Sequence, residues 1–156
     1  MELWKKLNLK TEEEIWVLNA PPELLPAIHE APCRINTLYD GFKPIRFALI
    51  FATKQAELNE LIPHIAGMLE GDAILWIAYP KKSSRRYTCD FNRDTGWSVV
   101  GTFNLEPVRQ VAINEDWSAL RFRKIEYIKN FKRNEAMALS ETGKARAAKA
   151  SSRVHP

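Results

Sequence analysis

Ala73-Ile74-Leu75-Trp76-Ile77-Ala78-Tyr79, followed at once by Pro80-Lys81-Lys82-Ser83-Ser84-Arg85-Arg86, decides the fold class of this chain. An apolar run without alternation is the pattern of a strand buried on both faces, as in a parallel sheet covered by helices. In such a sheet the ligand crevice lies beyond the carboxyl ends of the strands. A loop of four cations and two hydroxyls at that point is a candidate anion site, because cationic side chains and hydroxyls hold phosphate oxygens. Lys81, Lys82, Ser83, Ser84, Arg85 and Arg86 are therefore the leading candidate binding residues. The loop holds no glycine, so it is not a Walker loop, whose backbone amides need glycine to wrap a phosphate. A solvated surface loop explains the same residues.

Upstream, Ile15-Trp16-Val17-Leu18-Asn19 is a second continuous apolar run and predicts the first strand, ended by Pro21-Pro22. Pro22 can open a helix carrying Leu24, Leu25 and Ile28 to about Ala31, kept short by Pro26. Arg34 to Tyr39 predicts a weaker strand, and Asp40-Gly41 a turn before the strand Ile45 to Ala52. Leu58, Leu61, Ile62, Ile65 and Leu69 share a helical stripe that begins near Thr53 and ends at Gly71, with Pro63 inside it. Downstream, a third helix is expected over Asp90 to Phe103. Val108 to Ile113 and Trp117 to Arg123 flank Asn114-Glu115-Asp116 as a hairpin. Alternation of this kind predicts an α/β fold: a three-layer Rossmann-like sandwich with a mixed, mostly parallel sheet and a C-terminal antiparallel hairpin.

Residues 1–124 form the expected domain and 125–156 a basic tail, expected to be mobile in isolation. Residues 1–120 carry 13 basic against 16 acidic side chains, whereas 121–156 carry 10 against 3, so the net charge of +4 belongs to the tail. Such a tail suits nucleic-acid contact, a membrane-surface contact or plain solubility. Arg121, Arg123, Lys124, Lys129, Lys132 and Arg133 interleave with Phe122, Tyr127 and Phe131, a mixture that single-stranded nucleic acid can use. Cys33 and Cys89 lack metal-ligand spacing and read as free thiols of a reducing compartment. Glu12-Glu13-Glu14 interrupts any leader-like apolar run, and no run approaches a bilayer span, so a cytoplasmic location without membrane contact is expected.

Leu75 to Ser84, Arg93-Asp94-Thr95-Gly96-Trp97 and Arg109 to Arg123 together resemble a family of short, uncharacterised bacterial α/β proteins, and Ile15 to Pro22 is similar to that family's first strand and turn. The resemblance spans about residues 12 to 124. It implies domain limits and no activity, and it assigns no catalytic residue.

Asp94, Trp97 and Glu115 are candidate members of a pocket with the 81–86 loop. Asp90 and Arg93 could cap a helix or orient a ligand, and Trp97 reads more readily as packing than as a stacking platform. Asn114, Glu115 and Asp116 fit turn chemistry better than acid–base work, since no third partner is visible. His29, His64 and His155 make no metal motif. Cys89 is a weak nucleophile candidate whose pKa nearby Arg85 and Arg86 would lower. No metal, cofactor or catalytic residue is assigned. The leading reading is a protein that binds an anionic small molecule or nucleic acid through the 81–86 loop. The alternatives are a reduced Rossmann-like, nucleotide- or cofactor-dependent transferase, and an interaction module using the basic tail. The transferase reading expects a glycine-rich first turn, and Ala20-Pro21-Pro22 is the opposite.

Overall fold

The computed structural model describes residues 2–92 and 94–128. The expectation of a mobile basic tail falls, from residue 129 on, outside the described residues, as does Arg93. Six strands form one sheet: β1 (Glu14–Leu18), β2 (Arg34–Asn36), β3 (Ile45–Phe51), β4 (Leu69–Pro80), β5 (Leu105–Ala112) and β6 (Trp117–Lys124). Their spatial order is β2-β1-β3-β4-β6-β5. β2, β1, β3 and β4 run parallel, and β6 is antiparallel to both β4 and β5. The chain is thus an α/β, Rossmann-like protein with a mixed sheet and a C-terminal antiparallel hairpin.

Two cores explain the unbroken apolar strands. Alternate residues of each strand face opposite sides, so a strand covered on both sides needs apolar residues at every position. On one side Trp16, Ile50, Leu75, Ile77 and Phe122 pack against Leu58, Ile62 and Ile65 of α3 (Gln55–Ala66) and Val100 of α4 (Ser98–Thr102). On the other, Ile15, Phe47, Leu49 and Trp76 pack under Leu3, Trp4 and Leu7, which begin with α1 (Glu2–Lys6), and under Leu24 and Ile28, at and within α2 (Leu25–Ile28). Helix α1 has no counterpart in the sequence expectations. Its docking is fixed by two indole hydrogen bonds: Trp76 Nε1 donates to Leu7 O at 2.8 Å, and Trp4 Nε1 to Ile28 O at 3.2 Å.

Several expected elements are shorter or displaced. The helix expected from Pro22 becomes a 3-10 turn, Pro22–Leu24, and the single turn of α2, because Pro26 denies an amide to a longer helix. β2 stops at Asn36 rather than Tyr39. Helix α3 ends at Ala66, not at Gly71; β4 already starts at Leu69, and Gly71, at φ +59°, lies within it where the pairing with β3 shifts register between Ile45 and Phe47. Pro63 is tolerated inside α3 because it sits on the exposed side, where the bereft carbonyl meets water. Thr53 does not cap α3 with its own oxygen. Instead Glu57 Oε1 accepts from Thr53 N, Thr53 Oγ1 and Lys54 N, each at 3.0 Å.

The helix expected over Asp90 to Phe103 shrinks to α4. Asn92 Oδ1 accepts from the amides of Asp94 at 2.8 Å and Thr95 at 3.2 Å, a local side-chain turn that competes with helix. Gly96 follows at φ +94°, a conformation outside any right-handed helix.

Candidate functional site

Sheet order reverses at β1. The connection from β1 through α2 leads to β2 on one side, while β3 lies on the other and continues through α3, on the opposite face, to β4. The carboxyl ends of β1, β3 and β4 therefore share one edge, and the 81–86 loop emerges there, since β4 is parallel to β3.

A cleft of about 630 Å³ opens beside the end of β4 on the α3 side of the sheet. Tyr79, Gln110 and Ser118 form its floor: Gln110 Nε2 donates to Tyr79 Oη at 2.9 Å and to Ser118 Oγ at 3.0 Å. Lys81, Lys82 and Ser84 line it, joined by Asp90, Asn92 and Asp94. Two ammonium groups and two carboxylates thus border one cavity. Ser83, Arg85 and Arg86 are exposed and not among the lining residues, so the six-residue cationic set is divided.

Ser84 has a second task. Its hydroxyl donates to Asp116 Oδ1 at 2.8 Å and accepts from the amides of Arg86 at 3.2 Å and Tyr87 at 3.1 Å. Lys81 N also donates to Asp116 O at 2.8 Å. Asp116 is 6% exposed, and its side chain fastens the loop to the β5–β6 turn. Asn114 Oδ1 in turn accepts from Asp116 N and Trp117 N, both at 2.8 Å, which is the turn chemistry expected of that tripeptide. Of the three residues added to the loop as a candidate pocket, only Asp94 reaches the cleft. Glu115 is exposed outside it. Trp97 is 2% exposed and donates from Nε1 to Asn92 O at 2.8 Å; its ring packs on Tyr79, Phe91 and Phe122, so it supports the cleft from within the core.

Cys89 lines the cleft, yet its thiol differs from the sequence expectation. Burial pushes its pKa up, helped by the charges of Asp90 and Glu57, while a hydrogen bond involving the Phe91 backbone opposes this. Arg85 and Arg86 make no contribution there. A protonated, partly buried thiol is a poor nucleophile. Among the described residues, no three side chains of the His, Cys, Asp and Glu types converge as metal ligands.

Sequence reasoning missed Tyr87, Gln110, Ser118 and Glu23. Tyr87 Oη donates to Glu23 Oε1, and this bond holds Glu23 below the usual carboxylate range and raises Tyr87. The Tyr87 ring also packs on Trp117 with centroids 4.9 Å apart. The β5 and β6 residues carried no signal because their role depends on which strand lies next to β4.

Among the described residues, no helix is long and apolar enough to cross a membrane. No family model matches the chain, and no curated protein matches it. Solved structures do match in fold. A SAM-dependent methyltransferase from Aquifex aeolicus aligns with a TM-score of 0.53 at 11% identity, covering 80% of this chain and 88% of that one. The N-methyltransferase NodS from Bradyrhizobium japonicum WM9 aligns with a TM-score of 0.51 at 12% identity, covering 79% and 92%. At these identities the likeness is one of fold alone, an α/β, Rossmann-like architecture.

Proposed function

We propose that the chain uses a transferase-type Rossmann scaffold to bind a nucleotide-like small molecule in the cleft beside β4, with its phosphate toward Lys81 and Lys82 and its sugar hydroxyls toward Asp94. The observation that carries this reading is that lysines and aspartates line one and the same cavity. Phosphate accepts from ammonium groups, and vicinal hydroxyls donate to carboxylates. A plain inorganic anion would satisfy only the first half, so the likeness to methyltransferases lends cofactor-dependent group transfer more support than anion capture alone. Fold by itself does not settle an activity.

The cofactor named for the Aquifex aeolicus neighbour, S-adenosylmethionine, finds unsuitable residues at the β1 turn of this chain. Pro21 and Pro22 offer no amide hydrogens, and the helix after them is a single turn. Asp40, the first acid after β2, spends Oδ1 on the Phe42 amide. No step through that cofactor is therefore derived.

Calorimetric titration with ADP and with inorganic phosphate, at low and moderate salt, tests the reading. ADP is expected to bind more tightly than phosphate and to weaken as salt rises. The Lys81→Ala/Lys82→Ala double variant should lose at least about tenfold in ADP affinity, the equivalent of ~1.4 kcal/mol. Asp94→Asn should weaken ADP while leaving phosphate unchanged. Absence of ADP binding, or affinity indifferent to the lysines, ends the proposal.

A further inference from the structure

The loop after β4 does more than border the cleft. Tyr87 packs in the core on the α1 and α2 side of the sheet, whereas Cys89 and Phe91 pack in the core on the α3 side. Within these five residues the backbone must pass over the carboxyl edge from one face to the other. The crossing point is fixed by three contacts. Tyr87 Oη donates to Glu23, in the turn that follows β1. Asp90 N donates to Thr53 O at 3.2 Å, just past the end of β3. Asp90 Oδ1 accepts from Gln55 N, the first residue of α3, at 2.6 Å. Trp117 closes the arrangement from below, with Tyr87 at 4.9 Å and Phe51, the last residue of β3, at 5.2 Å.

The segment therefore ties the turn after β1 to the end of β3 and the start of α3, on either side of the point where the strand order reverses and where open α/β sheets leave their ligand crevice. We infer that the chain fills its own switch-point crevice: residues 87–91 take the place over β1 and β3, and a nucleoside ligand of the S-adenosyl type is excluded from it. Two independent features agree. The turn beneath has prolines in place of amide donors, and the amide at the start of α3 that an anionic ligand would seek is already held by a carboxylate of the chain. This inference goes beyond the cleft reading and does not depend on it: residues 87–91 line one wall of the cleft, whereas the switch point lies beyond that wall, at the ends of β1 and β3.

Amide-resolved NMR on the full chain tests it with S-adenosylhomocysteine as the probe. Asn19, Ala20 and Ala52 report on the crevice, and none of them lines the cleft. Their amide resonances are expected to stay in place at millimolar probe, whether or not Lys81 and Lys82 shift. The Asp90 amide is expected to exchange with solvent at least about a hundredfold more slowly than an open-loop amide, as its bond to Thr53 requires. Saturable shifts at Asn19, Ala20 and Ala52, or an Asp90 amide exchanging at the open-loop rate, overturn the inference. Failure of the cleft reading has a separate signature, since it is read from ADP and the lysines.

Discussion

Glu23 and Tyr87 show how one hydrogen bond between two half-buried groups can organise a loop. Glu23 is held down chiefly by the Tyr87 hydroxyl, with its own backbone amide and the Arg86 charge adding to the effect, and burial opposes. A carboxylate depressed in the folded state stabilises above its unfolded value of 4.5 and loses that contribution as pH falls through the folded value. Tyr87 is raised, so its contribution is complete below 10.0 and is lost as pH rises through its folded value. Urea midpoints followed against pH should accordingly fall at both ends, and Tyr87→Phe should flatten both limbs; a variant whose profile matches the parent's would refute the assignment. Ser84 offers a sharper cost. Ser84→Ala strips a donor from buried Asp116 and an acceptor from two amides, and should destabilise by about 1–3 kcal/mol in equilibrium unfolding.

At the scale of elements, the short segments are held by tertiary partners rather than by propensity. Helix α1 is five residues long, far below the length at which an isolated helix persists in water. It stands because Trp4, 1% exposed, buries its ring against Phe47 at 6.0 Å. Trp4→Ala should cost about 3–5 kcal/mol by denaturant unfolding. The 91–97 turn depends on Gly96 in a second way besides its φ of +94°: a Cβ there would come within 2.5 Å of Phe91 Cβ. Gly96→Ala should lower stability by about 1–3 kcal/mol and disturb the Phe91 and Trp97 rings, visible as a change in near-UV circular dichroism. Retention of both stability and spectrum would show that the turn has slack.

For the molecule as a whole, a single sheet carries two cores, and β3 and β4 contribute to both. Neither face can be lost without exposing the other side of the same strands. Trp4→Ala on one face and Val100→Ala on the other should therefore shift one cooperative transition, with effects additive within about 0.5 kcal/mol because the sites share no partner. Two separated transitions in the urea curve would show that the faces unfold independently.

The continuous apolar runs at 15–18, 47–51 and 73–79 made the central parallel strands legible, because burial on both faces leaves no room for alternation. The hairpin was legible from the Asn114 turn, and the place of the 81–86 loop from parallel β4. Local chemistry determined the strands and the turn, while the parallel run of β4 rests on its pairing with β3. The third helix was not legible: the Asn92 turn and Gly96 overrode an ambiguous pattern, and helix α1 needed the Trp76 indole, 69 residues away in sequence, to donate to Leu7 O just past its last turn. Only the tertiary structure decided which cations face the cleft, that Gln110 and Ser118 floor it, and that Tyr87 reaches Glu23. The physical reason is that strand order is a long-range choice: β6 inserting between β4 and β5 sets those neighbours, and no window of adjacent residues contains that information.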